Sequence, residues 1–343
     1  MSTQPSARNS AIGTAVVGAG NWGKNLARNF HLLDGAHLAY VCDVNEATRS
    51  VMGSLYPEAT ITSSYDAVLA SAAVECVVLA IDAPLHYKFA RAALNAGKHV
   101  YVEKPLTLRS AEALELVELA DSVGRKLMVG HLLEYHPAVN FVRDMIRKGE
   151  VGDVHYLYFQ RLNLGIVRKE ENAWWSLAPH DISMACYFFD AKPLSVSASG
   201  QSYLQSGIED VVFATLKFDD GRMAHIHVSW LDPHKMRKVT LVGSQRMVVF
   251  DDMEGAEKIR IYDKGAEIGG QDYSAPITLR TGDIVIPRVP GGEPLRVECQ
   301  HFLDCIRNDQ TPRSDGRDGL RVVEVLEAGS ESLKQGGKSI ELP

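Results

Sequence analysis

No apolar run in the chain approaches the roughly 18 residues of a membrane-spanning helix; the longest, Cys76 to Ile81, is short. No bilayer span is therefore expected. Cysteine is scarce: Cys42, Cys76, Cys186, Cys299 and Cys305 are odd in number, sit mostly in apolar contexts and form no CxxC pair. That pattern argues against a disulfide framework and against a zinc site, and it fits a reducing cytoplasm. Basic charge is in deficit, with 36 Lys plus Arg against 43 Asp plus Glu and a net charge of −7, the wrong sign for a phosphate-backbone binder. Nucleic acid is not an expected partner. Internal repeats and low-complexity segments are also lacking. The opening MSTQPSARNS has no apolar core of the signal-peptide kind and reads as a flexible polar tail over residues 1–10.

What is present is an ordinary globular composition, 45% hydrophobic and 23% charged, on 343 residues, enough for two domains that each bury a core. Thr14–Val17, Leu38–Cys42, Cys76–Ile81, His99–Val102 and Lys126–Val129 are short β-branched runs. Between them Trp22–Leu33, Leu85–Ala96 and Ser110–Val123 carry apolar residues at helical spacing, with Ser110 placed to cap its helix. This alternation predicts a doubly wound parallel sheet, an α/β Rossmann domain over residues 11–130. From about residue 150 the pattern changes. Val154–Leu164, Val196–Leu204, Asp210–Phe218, Met223–Trp230, Arg237–Val242, Met247–Phe250 and Ile259–Tyr262 read as partly alternating strands, with turn signals such as Asp219-Asp220-Gly221. Helices are expected near His180–Phe189, Glu293–Arg307 and Asp318–Lys334, and Ile286–Pro294 as a loop. Residues 131–343 should thus form an α+β domain with a large, mostly antiparallel open sheet. Tyr156, Tyr158 and Phe159 put aromatics on both faces of one strand, so a sheet face covered by a second copy, in a homodimer or homotetramer, is expected.

Val16-Val17-Gly18-Ala19-Gly20-Asn21-Trp22-Gly23 is a GxGxxG that follows an expected strand and opens an expected helix, the context of a dinucleotide site. Gly18 permits the tight turn, Gly20 lets a pyrophosphate approach the backbone, and Gly23 lets helix and strand pack closely. Asp43 ends the second strand 23 residues after Gly20, where a carboxylate binds both ribose hydroxyls and repels a 2′-phosphate. The expected cofactor is NAD. Further on, Glu103, Lys104 and Pro105 fall at the carboxyl end of a strand, and Pro105 holds Lys104 out of helical geometry. A lysine so held can donate to a substrate hydroxyl and stabilise a developing alkoxide. His225 and His227 alternate on one strand without a third ligand at useful spacing, so no metal is expected.

The segment Ala96-Gly97-Lys98-His99-Val100-Tyr101-Val102-Glu103-Lys104-Pro105 resembles the AGKHVxxEKP of the Gfo/Idh/MocA oxidoreductases, and the likeness extends over nearly the whole chain. It implies cofactor contacts for Asn21, Trp22, Ile81, His86, Glu103 and Lys104, with Asp82-Ala83-Pro84-Leu85-His86 passing near the nicotinamide, and an inter-domain crossover at Val129-Gly130-His131. A second string, Arg161-Leu162-Asn163-Leu164-Gly165, then Arg168, Asn172 and Trp174-Trp175-Ser176-Leu177-Ala178-Pro179-His180-Asp181, is narrower. It resembles the branch containing the UDP-N-acetyl-glucosaminuronate 3-dehydrogenases of bacterial surface-polysaccharide pathways, as does Gly282-Asp283-Ile284-Val285-Ile286-Pro287 with Glu293-Pro294-Leu295 and Glu298.

The branch resemblance implies that Lys104 and His180 flank the reacting carbon of a UDP-sugar, with His180 as the base. Arginine suits capture of a carboxylate and asparagine a hydroxyl or acetamido group, so Arg161, Asn163, Arg168 and Asn172 are candidate substrate residues. Asp181 either orients His180 or occupies the first helical turn. Arg288, Arg296 and Glu298 are candidates for holding the nucleotide. Ser176 stands where the wider family commonly carries an aspartate, which puts a second carboxylate base in doubt. The expected activity is NAD-dependent oxidation of the C3 hydroxyl of UDP-2-acetamido-2-deoxy-glucuronic acid. The alternatives are a nucleotide-sugar 3-ketoreductase acting on a deoxysugar and a non-catalytic NAD-binding regulator.

Overall fold

The computed structural model describes residues 11–165, 167–268 and 277–343; the tail expected over residues 1–10 lies outside them. The first compact unit holds Met1–His131 and Glu293–Leu320, the second Leu132–Gly292 and Arg321–Pro343.

In the first unit β1 (Ile12–Val17), α1 (Gly23–Leu32), β2 (Ala36–Cys42), α2 (Glu46–Leu55), β3 (Thr60–Thr62), α3 (Tyr65–Ala70), β4 (Cys76–Leu79), α4 (Ala83–Asn95), β5 (His99–Glu103), α5 (Ser110–Ser122) and β6 (Leu127–Gly130) follow in order. Their six strands form a parallel sheet in the order β3-β2-β1-β4-β5-β6. The order reverses beside β1, which places the ligand crevice of this kind of sheet at the carboxyl ends of β1 and β4. Every residue of β1 and β4 is buried, as a parallel strand covered on both faces requires. The expected strands all form. The edge strand β3 was not foreseen: three residues, Thr60 exposed and Ile61 and Thr62 half-buried, carry no apolar pattern. Ser110 is the first helical residue of α5 and Arg109 its N-cap, so the cap lies one position earlier than its side-chain chemistry suggests.

The second unit starts with a 3-10 turn (Leu132–Tyr135), then α6 (Pro137–Arg147), β7 (Val154–Leu162), α7 (Ala173–Leu177), α8 (Pro179–Phe189), β8 (Ser195–Gln201), β9 (Val211–Lys217), β10 (Met223–Ser229), β11 (Met236–Gly243), β12 (Met247–Asp251), β13 (Ile259–Ile268) and β14 (Ile277–Val285). Its nine strands run β14-β13-β12-β11-β7-β10-β9-β8-β15, with β15 at Ile340–Glu341. All pairs are antiparallel except β7 with β10. One face buries Leu157 and Phe159 of β7, Ala224, Ile226 and Val228 of β10, and Val239 and Leu241 of β11. Nearly every residue of α8 is buried in the same core. On the other face Tyr158 stacks on His225 and Phe213 on His227, with ring centroids 5.6 and 4.2 Å apart. β14 was not read as a strand, because its residues are exposed on both faces and show no alternation.

The units depart from the expected second domain of residues 131–343 at its start and over the internal stretch Glu293–Leu320. His131 closes the first unit, and α9 (Pro294–Arg307) returns to it, followed by the start of α10 (Gly316–Lys334). The cause is packing. Phe302 of α9 meets Tyr101 edge-on with centroids 5.9 Å apart, Leu295 and Leu303 are buried beside it, and Glu293 pairs with Arg28 and accepts from Asn29 at 3.1 Å. No helix of the described residues is long and apolar enough to cross a membrane. All five cysteines are buried free thiols.

Candidate active site

β1 ends in a turn at Gly18, where φ is +82° and a Cβ would lie 2.5 Å from the Ala80 carbonyl oxygen. A Cβ on Gly23 would lie 1.8 Å from the Gly18 oxygen, so the start of α1 can approach the turn only as glycine. Gly20 differs: a Cβ there would meet nothing within 4 Å. The first turn of α1 holds no acidic residue, and its N-cap, Trp22, makes no side-chain capping bond. Open space at Gly20 beside the positive end of an uncapped helix fits a pyrophosphate. Asn21 and Trp22 are exposed on this turn.

Asp43 follows β2 directly. Its Oδ2 accepts the Ala19 N–H at 2.7 Å and its Oδ1 the Asn45 N–H at 2.8 Å, which pins the carboxylate against the glycine turn. Arg49 donates to the Asp43 and Val44 carbonyls at 2.9 and 2.8 Å. The carboxylate so held suits the ribose hydroxyls of NAD.

At the end of β5 the Lys104–Pro105 peptide is cis. Glu103 accepts from the Trp22 indole N–H at 2.5 Å, the Tyr101 hydroxyl at 3.4 Å and the Lys104 N–H at 3.3 Å. Burial still dominates, pushing its carboxyl up to about 7. His86, expected at the nicotinamide, has Nδ1 2.7 Å from the Pro105 carbonyl and Nε2 3.0 Å from that of Ile81. Each ring nitrogen faces a backbone carbonyl, and the neutral imidazole, with its single N–H, donates to one of the two. Burial holds its pKa below the usual histidine value. Ile81 itself presses on the Gly18 turn, its Cγ2 2.8 Å from where a Gly18 Cβ would stand.

In the second unit His180 is the second residue of α8, after Pro179, and is half-buried. The buried carboxylate of Asp181 accepts from Arg161, Nε at 3.1 and 3.2 Å and Nη2 at 2.7 Å. Burial raises the Asp181 pKa while Arg161 opposes the shift. Arg161 was expected to seize a substrate carboxylate; its fork is engaged by Asp181 instead. Asn172 caps α7, its Oδ1 accepting the Trp175 N–H at 3.1 Å while its Nδ2 donates to Glu209 at 2.6 Å, so both ends of its amide are engaged within the fold. Asn163 follows β7 and its N–H donates to Ser229. Arg168 is exposed and lies 3.6 Å from Glu171.

One feature gave no sequence signal. Glu134 is buried in the 3-10 turn and accepts from Ser183 at 2.5 Å, one turn beyond His180 on α8. Glu298, a candidate nucleotide ligand, is fully buried in the first unit and belongs to its core. Among the described residues no group of three His, Cys, Asp or Glu side chains could hold a metal.

A doubly wound sheet with this glycine turn, this placed carboxylate and a lysine at the strand edge defines an NAD-binding oxidoreductase. The chain belongs to the Gfo/Idh/MocA family: the profile of the oxidoreductase family with an NAD-binding Rossmann fold matches residues 12–131, and that of the GFO/IDH/MocA C-terminal domain matches 139–249.

The chain is 26% identical over 317 residues to a UDP-N-acetylglucosamine 3-dehydrogenase of Acidithiobacillus ferrooxidans, covering 90% of this chain and 93% of the relative. A solved structure of that enzyme superposes with a TM-score of 0.79 over 94% of this chain and 97% of its own, at 24% identity. A dehydrogenase of Bordetella pertussis solved with NADH and UDP-GlcNAcA gives 0.78 over 97% and 99%, at 22% identity. A 2,7-anhydro-N-acetylneuraminate hydratase of Escherichia coli is 26% identical over 266 residues, 73% of this chain and 70% of the relative.

Proposed function

We propose that the chain oxidises the C3 hydroxyl of a UDP-linked 2-acetamido-2-deoxy sugar to the ketone. The observation that carries this reading is the near full-length likeness to a UDP-N-acetylglucosamine 3-dehydrogenase, joined to a lysine held at the strand edge by the Pro105 peptide. In this reading Lys104 donates to O3 and stabilises the forming alkoxide, and His180 takes the hydroxyl proton. NAD, when bound, supplies the hydride acceptor. Glu103, through Trp22 and the Lys104 N–H, joins the glycine turn to the strand end that carries the ammonium.

The C6 group separates two substrates. The narrower sequence string speaks for the uronic acid. Arg161, the strongest carboxylate ligand in that string, is neutralised by Asp181, which favours the neutral sugar. Of the candidate arginines this leaves Arg168 to meet an acid. Mixing the protein and NAD with each sugar nucleotide, while following NADH absorbance and product mass, tests the reading. A 3-keto product from either sugar supports it, and turnover of neither overturns it.

We further infer that the protein acts in the cytoplasm and self-associates through the second unit's sheet, where Tyr156, Phe213 and Met223 are exposed on one face. The molar mass from light scattering checks the association.

A further inference from the structure

In the second unit β11 runs beside β7 with Arg237 directly opposite Arg161. Cross-strand partners project to the same side of a sheet, and here it is the side that buries Leu157 and Phe159 of β7 with Val239 and Leu241 of β11. Two guanidinium groups therefore stand side by side where that buried face ends. Like charges placed opposite one another repel unless anions meet them. Asp181 meets Arg161 through three hydrogen bonds, and the Arg161 side chain is only 11% exposed. Arg237 is 46% exposed, and its pairing with Asp252 spans 3.7 Å, too long for a hydrogen bond.

Asp252 is engaged by other groups. Its Oδ1 lies 3.1 Å from the Lys258 ammonium, which also donates to the Asp252 carbonyl at 3.0 Å, and 3.5 Å from His136 Nε2. Burial holds His136 below the usual histidine value, so it adds no charge at neutral pH. Three cations, Arg161, Arg237 and Lys258, thus share two carboxylates, Asp181 and Asp252. The surplus positive charge rests on Arg237, the most exposed of the three. Asp181 directly follows His180 at the start of α8, so this charge lies at the end of the second unit that carries the proposed base.

We propose that Arg237 is the anion-binding residue of the sugar-nucleotide site, its guanidinium fork taking a carboxylate or phosphate group of the substrate. The proposal rests on the reading of the substrate as a UDP-linked sugar. A planar fork with two parallel N–H donors matches either oxyanion, and an arginine without a close carboxylate keeps those donors for a ligand. Arg161, its neighbour across the strands, has spent its fork on Asp181. A UDP-linked uronic acid offers two groups of this chemistry, the C6 carboxylate and the diphosphate; the neutral sugar offers the diphosphate alone.

Steady-state kinetics with NAD and each sugar nucleotide, at fixed ionic strength, test the assignment on the wild type, Arg237→Met, Arg237→Lys and Arg168→Met. Arg237→Met should raise KM by about 10- to 100-fold, the loss of a hydrogen-bonded charge, with kcat within about threefold of wild type. Arg237→Lys keeps the charge and loses the fork, so its KM should fall between the two. NADH affinity stays unchanged in both. A rise confined to the uronic acid supports the assignment with the C6 carboxylate as the ligand, and an equal rise with both sugars supports it with the diphosphate. Wild-type KM values in Arg237→Met for both sugars, or a rise seen only in Arg168→Met, overturn it. Turnover of neither sugar by the wild type is a failure of the substrate reading, and titration calorimetry with inorganic diphosphate and with glucuronate then decides the anion site. Binding of either probe at least about threefold tighter in the wild type than in Arg237→Met supports it, and equal binding overturns it.

Discussion

The indole N–H of Trp22 donates to Glu103 Oε1 at 2.5 Å, joining two residues 81 positions apart. One belongs to the glycine turn after β1 and the other ends β5, so a single bond couples the cofactor loop to the strand that carries Lys104. A hydrogen bond to a charged acceptor contributes about 1.5–3 kcal/mol. Trp22→Phe, which keeps the ring and removes the donor, should weaken NADH binding about tenfold, as titration calorimetry will show, with little change in thermal stability.

Gly20 and Gly23 should separate folding from cofactor binding. Gly20→Val projects into open space, so it leaves stability nearly unchanged and weakens NADH binding by at least about tenfold. Gly23→Ala forces a Cβ onto the Gly18 carbonyl, so its main effect is a lowered melting temperature. Calorimetry on the two variants, with and without NADH, reads both effects.

Lys104→Met and His180→Asn are each expected to lower kcat by about 10²- to 10⁴-fold, the usual range for losing a positioned proton-transfer or oxyanion group. NADH affinity should survive in His180→Asn. Steady-state kinetics with the UDP-sugar, beside NADH titration, distinguishes this from general damage; unchanged turnover in either variant removes that residue from the chemistry.

The Arg161–Asp181 pair is a buried ion pair held by three hydrogen bonds. Removing one partner strands the other charge, so Asp181→Asn should cost about 3–5 kcal/mol in urea unfolding. Arg161→Met with Asp181→Leu should recover most of that loss. Additive effects in the double variant would show that the charges do not depend on one another.

Glu103 titrates in the folded protein at about 7 because burial outweighs its donors, against about 4.3 when unfolded. Its folded pKa is the higher, so the native state binds more protons in that window. Stability therefore falls as pH rises from about 4.3 to about 7 and levels off above. The decline is at most about 4 kcal/mol, and Glu103→Gln should flatten it in denaturant midpoints measured across that range.

Much of the fold was legible in the sequence, because the signals that specify it are local. The β-branched runs and helical apolar spacing of residues 14–129 marked five of the six parallel strands, and the glycine turn with Asp43 marked the cofactor end. β3 and β14 escaped because short or doubly exposed strands carry no burial pattern to read.

By itself, then, the sequence determined the alternation of elements, the dinucleotide turn and the lysine set before a proline. Only the tertiary structure decided which polar groups meet. It returned α9 to the first unit, gave Arg161 to Asp181, turned Asn172 into a helix cap, and buried Glu298 in the first unit. The physical reason is that hydrophobic periodicity reports whether a position is buried, whereas the partner of a buried polar group is set by packing between distant segments, 264 positions apart for Asn29 and Glu293.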